Sequence, residues 1–173
     1  MFPALIVDSS PYLHKHTRHD RVSYTCAIGR SGMIAASDKR EGDGATPIGK
    51  WPMRRIYYRA DRITLPDLSL PSIAITKDMG WCDAPADPAY NRRVTLPYAA
   101  SHEILWREDH AYDLIVELGH NDSPTVPGLG SAVFMHVAKP GYTPTEGCVA
   151  LALEDLIAVL TDCPAGTLLD IRA

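Results

Sequence analysis

The chain has 173 residues, enough for a single domain (1–173) with a full hydrophobic core. Its composition, 46% hydrophobic and 22% charged, is that of an ordinary globular protein, and its net charge of −4 with no evident basic face argues against a nucleic-acid binder. No apolar run reaches membrane-spanning length, and fourteen prolines and twelve glycines with few helical patterns predict a turn-rich, mainly β domain.

The first segment, Met1 to Asp8, is too short and too soon polar for a secretory leader and lacks a basic start, so the expectation is a cytoplasmic chain. An exported protein of the periplasm or cell envelope whose leader had been removed would read the same. His14, His16 and His19 cluster without a nearby carboxylate or cysteine; a solvated loop is expected there rather than a metal site. Val22 to Gly29 and Met33 to Ala36 flank Arg30-Ser31-Gly32 and predict a hairpin. The polar, glycine-rich stretch from Lys39 to Gly49 lacks the Gly-Lys-Ser/Thr ending of a nucleotide loop, and Thr46 to Gly49 is expected to open the next strand.

Asp61 to Pro71 reads as a proline-containing loop and Ser72 to Thr76 as a short strand. Met79 to Arg92 carries turn chemistry throughout and is expected to be a long loop. Two readings stay open for it. In one it is a packed loop anchored by Trp81 and Tyr90; in the other it is a binding loop whose Tyr90, Asn91 and Arg92 recognise a carboxylate or amide. Ser101 to Arg107 suits a helical turn or an edge strand. Tyr112 to His120 is the strongest strand pattern, expected beside the His136 strand with His120 on its rim. Glu154 to Thr161 reads as the one clear helix, and Thr167 to Arg172 as a closing strand.

Residues 131–153 carry the chemistry. Two strand-like runs, Ala132 to Val137 and Cys148 to Leu153, flank a loop containing Pro140, Gly141 and Pro144 that can fold them back to back. His136 ends the first run and Cys148 opens the second. A thiol is a weak nucleophile while protonated, and a neighbouring imidazole can take its proton. Gly147 permits a sharp turn, and backbone amides from Gly147 to Val149 are candidate oxyanion donors. Thr145 joins them as a candidate substrate contact. Cys26, Cys82 and Cys163 show no Cys-x-x-Cys spacing, so free thiols are expected, with no zinc site. Cys82 is a rival nucleophile that lacks a strand-borne histidine.

Phe-Met-His-Val, a Pro/Gly loop and Pro-Thr-Glu-Gly-Cys-Val-Ala-Leu resemble the active-site signature of the L,D-transpeptidase catalytic domain (YkuD-like). Lys39 to Trp51, with Gly44-Ala45-Thr46-Pro47-Ile48-Gly49, resembles the family's N-terminal block. Glu146 stands where many members have His, and Ala150 where an Arg often follows the Cys by two; the loop between His136 and Cys148 is shorter than usual. The resemblance implies a β-sandwich with one or two short helices. It further implies Cys148 as nucleophile, His136 as proton carrier, and acyl transfer from a peptidoglycan stem tetrapeptide to an amine or to water. No cofactor is implied, and a monomer is expected. Water is the expected acceptor for an unexported chain, as in an L,D-carboxypeptidase of muropeptide recycling. The alternative from another class is a non-catalytic peptidoglycan-binding module.

Overall fold

The structure is a computed structural model that describes residues 4–16, 20–161, 163–164 and 166–173. In chain order its elements are β1 (Ala4–Val7), β2 (Tyr12–His16), β3 (Arg21–Ala27), β4 (Met33–Ala35), β5 (Thr46–Tyr58), β6 (Ser72–Ala74), β7 (Met79–Cys82), β8 (Arg93–Thr95), β9 (His102–Ile104), β10 (Leu114–Leu118), β11 (Phe134–Val137), β12 (Val149–Leu151), α1 (Leu153–Thr161) and β13 (Leu168–Ile171). A 3-10 turn, Pro140–Tyr142, lies between β11 and β12. The fold is mainly β, as the resemblance implies.

The strands pair in the order β10-β11-β12-β3-β2-β1-β13-β5, and β5 pairs back onto β10. Two strands turn the corners. Arg21 to Thr25 of β3 pair with β2, and Cys26 and Ala27 pair with β12. In β5, Gly49 to Pro52 pair with β13, and Met53 to Tyr58 pair with β10. Strands that leave one sheet for the other close a sandwich. Pro52 sits at the changeover of β5, where a missing backbone donor is least disruptive.

The main core fills the sandwich. Leu5, Val7 and Leu13 meet Leu114, Val116, Met135, Val149 and Leu151, all buried. Helix α1 seals one end with Leu156, Val159 and Leu160, an i, i+3, i+4 face, while Ile157 lies at the edge of the core. Glu154 and Asp155 in its first turn complement the helix dipole.

A second core lies outside the β10–β11 face, under a small sheet ordered β8-β7-β9. Trp81 of β7 stands edge-on to Phe134 of β11 at 5.0 Å between ring centroids. Ile115, Phe134 and Cys148 face this layer, while Leu114, Val116 and Met135 face the main core. Strands covered on both sides read as unbroken apolar runs, which is why Leu114 to Val116 showed no alternation.

Three expectations are corrected. Arg30-Ser31-Gly32 does not join a hairpin, because the end of β3 already has a partner: Thr145 N–H donates to Ile28 O at 2.9 Å, and Arg30 N–H donates to Thr145 O at 2.8 Å. Strand β4 pairs in parallel with the start of β5 instead. Met79 to Arg92 is not loop throughout, since Met79–Cys82 forms the central strand of the small sheet. His14 and His16 lie in β2 rather than in a loop; His14 Nε2 is 2.9 Å from Asp8 Oδ2 and its Nδ1 is 2.7 Å from Ser23 Oγ. His19 lies outside the described residues.

Leu151→Ala, which would empty a site with no solvent exposure, should destabilise the protein by about 2–5 kcal/mol, whereas Leu168→Ala, at a position 42% exposed, should change stability by no more than about 0.5 kcal/mol. Urea unfolding of the two variants checks this; equal effects would contradict the assigned core.

Candidate active site

Strands β11 and β12 pair in parallel, with Met135 opposite Val149 and His136 opposite Ala150. Side chains two apart on a strand share a face. Cys148, one residue before Val149, therefore shares the outer face with Ala150, and Phe134 shares it with His136. Cys148 and His136 are thus diagonal neighbours on one sheet face, and both line a cleft of ≈ 360 Å³. The expectation that the loop folds the two runs back to back is corrected: they pair side by side but in parallel, which makes residues 138–148 a crossover along the cleft.

Each group has a defined partner. The Cys148 thiol donates to Ala132 O at 3.2 Å, and Phe134 N–H donates to Sγ at 3.4 Å. Burial pushes this thiol up to about 12, so it rests protonated. His136 Nδ1 lies 2.9 Å from Val137 O. A carbonyl only accepts, so Nδ1 carries the ring proton and Nε2 keeps the lone pair. Burial pulls the imidazole down to about 4, and it rests neutral. The ring of Tyr112 stands edge-on to that of His136 at 5.4 Å.

The Thr-Glu-Gly-Cys turn is closed by its own threonine. Gly147 N–H donates to Thr145 Oγ1 at 3.1 Å, and the Thr145 hydroxyl donates to Cys148 O at 2.7 Å. Gly147 has φ +134°, and a Cβ there would lie 2.8 Å from Ala45 O. The two sequence blocks meet at that contact. Lys39, Glu41 and Gly42 of the first block line the cleft beside Thr145, Gly147 and Cys148 of the second.

The remaining expected residues fall elsewhere. Val149 packs its side chain into the main core. Tyr90 is buried; its hydroxyl donates to Glu41 and accepts from Gly130 N–H. Asn91 is a bracket: its Oδ1 accepts from Trp81 Nε1 and from Ala132 N–H, and its Nδ2 donates to His120 O and Asn121 O. Asn91 thereby holds Ala132, a non-glycine residue at φ +52°, whose carbonyl receives the Cys148 thiol. Arg92 lines a separate cleft with Arg55, Arg93 and Trp81. Cys82 is fully buried, and all four cysteines are buried and free. His120 is buried rather than on the rim, edge-on to Trp51 at 4.7 Å.

Sequence reasoning missed the far wall of the cleft. Glu103 of β9, Arg107 and Tyr112 line it. Tyr112 donates its hydroxyl to Glu103 Oε2 at 2.6 Å. Arg107 stacks over the Tyr112 ring at 4.9 Å and forks onto Asp109.

The model of the YkuD L,D-transpeptidase catalytic domain matches residues 4–171. The chain belongs to that family. Comparison with curated proteins and with solved structures gives no match. The match spans both sequence blocks and every strand that forms the cleft, so the membership covers the site and its scaffold together.

A buried neutral thiol reacts with an alkylating agent only as it ionises. The rate of Cys148 modification by iodoacetamide, read by peptide mass mapping, should climb steadily from pH 7 to pH 10. A rate that is flat across pH 5–8 would mean a preformed thiolate–imidazolium pair and contradict the neutral resting state.

Proposed function

We propose that the protein is a cysteine acyl-transfer enzyme acting on peptidoglycan stem tetrapeptides at the bond between the diamino acid and the terminal D-Ala. The observation that carries this reading is the placing of Cys148 and His136 on one sheet face at the floor of a cleft, within a catalytic-domain family.

The chemistry follows from the resting state. Cys148 Sγ attacks the amide carbon while its proton passes to His136 Nε2, because the thiol ionises poorly by itself. Val137 O orients the imidazole for that transfer, a role that a carboxylate or amide fills in other Cys–His enzymes. The developing oxyanion needs a backbone donor. Thr145 engages the Gly147 amide, so the Cys148 amide is the donor that this turn offers. Collapse of the intermediate breaks the C–N bond. D-Ala leaves with the proton returned by His136, and a thioester remains on Cys148. An amine acceptor then yields a cross-link, and water yields a tripeptide.

Cys148→Ala should abolish release of D-Ala from a purified tetrapeptide muropeptide, and His136→Ala should lower it by about 10²–10⁴-fold. Cys82→Ala should retain most of it. Mass spectrometry of the products checks all three and separates cross-linked dimers from tripeptide. Full activity in Cys148→Ala would end this reading, and binding of muropeptide without turnover by the unaltered protein would favour a non-catalytic module.

A further inference from the structure

The charged groups that line the cleft are not all paired. Three cations line it, and each is already engaged. Arg107 forks onto Asp109, Lys139 lies 3.6 Å from the same carboxylate, and Lys39 bonds Asp43 and Arg40 O. Glu103 has no such counter-ion: among the described residues it makes no ion pair, and its Oε2 accepts only the Tyr112 hydroxyl, at 2.6 Å. Glu41 lines the same cleft and bonds the Tyr90 hydroxyl. Asp83, which follows β7, has a buried Oδ1 with no partner. Burial, then Asp83 and Glu41, push the Glu103 carboxyl above its usual range, against the Tyr112 hydrogen bond and the more distant Arg107. A half-buried carboxylate that feels other carboxylates is less stabilised than one joined by a cation.

The position of Glu103 narrows what that cation is. Tyr112 bridges the site, its hydroxyl on Glu103 and its ring edge-on to His136 at 5.4 Å. Glu103 and the imidazole thus both touch Tyr112 within one cleft, so Glu103 is placed to meet the side chain of the very residue whose carbonyl is attacked. Among the described residues no three His, Cys, Asp or Glu side chains are grouped to hold a metal ion. A single carboxylate with a polar neighbour suits an ammonium, which needs one strong acceptor and tolerates loose geometry.

We propose that Glu103 forms an ammonium subsite in the cleft, taking the free side-chain amine of the diamino acid in the acyl donor. This rests on the acyl-transfer reading above and gives it a specificity determinant: the enzyme selects a donor whose third residue carries an unmodified primary amine. Arg107 and Lys139, both held by Asp109, line the same cleft, and neither forms an ion pair with Glu103.

The test measures binding rather than turnover. The Cys148→Ala protein is titrated calorimetrically with the stem tetrapeptide and with the same peptide acetylated on its side-chain amine, each with Glu103 intact and with Glu103→Gln. The Gln amide keeps an oxygen for the Tyr112 hydroxyl. Acetylation should weaken binding about ten-fold or more with Glu103 and by less than about two-fold with Gln. Equal weakening in both backgrounds, no effect of acetylation, or no binding of the free-amine peptide overturns the subsite. Should the Glu103→Gln protein fail to fold, Glu103→Asp takes its place, and it must keep a preference for the free amine. D-Ala release by the unaltered protein separates the two claims. Turnover with no role for Glu103 removes only the subsite; absence of both turnover and binding removes the acyl-transfer reading as well.

Discussion

The parallel pairing of β11 with β12 is the contact on which the site depends. It sets His136 opposite Ala150 and so puts the imidazole and the Cys148 thiol on one face. A slip of one residue would send one of them into the main core, since successive side chains alternate between faces. Parallel neighbours cannot be joined by a tight turn. The crossover they require contributes Lys139, Thr143 and Glu146 to the rim of the cleft. The pairing that aligns Cys148 and His136 therefore also builds a wall of the cleft beside them.

Burial then decides the electrical state of the site. The second core covers the β10–β11 face with Trp81, Tyr112 and Phe134, and both Cys148 and His136 border it. Taking both groups out of water disfavours the ion pair and leaves two neutral groups. The thiol is held by Ala132 O, whose strained backbone is in turn fixed by Asn91. The small sheet is thus more than a cover: through Asn91 and Trp81 it sets the carbonyl that the resting thiol faces.

Much of this was legible in the chain because the signals were local. His136, Gly147 and Cys148 lie within thirteen residues of one another and declare a strand, a turn and a strand. The strand content and the closing helix were legible for the same reason. What escaped was assembled from distant segments. The hairpin read at Arg30-Ser31-Gly32 failed because the competing partner, Thr145, is far along the chain. Strand β7 was hidden among Pro, Gly and Asp residues, since a strand flanked on both sides needs little propensity of its own. Tyr90 and Asn91 look like surface recognition groups in a polar stretch, and only the fold turns them inward as brackets. Glu103 had no periodic pattern to mark it, and its importance comes from Tyr112, which a different strand edge delivers.

The central claim is that Cys148 carries the acyl group between two partners. Intact-protein mass spectrometry after brief mixing with a stem tetrapeptide, quenched in acid to preserve the thioester, tests it most directly. The account predicts a covalent adduct with the mass of the tripeptide acyl group, mapped by digestion to the peptide containing Cys148 and removed by a thiol nucleophile. An adduct on another residue, or turnover of the peptide with no adduct at any quench time in the His136→Ala protein or the unaltered one, would contradict it.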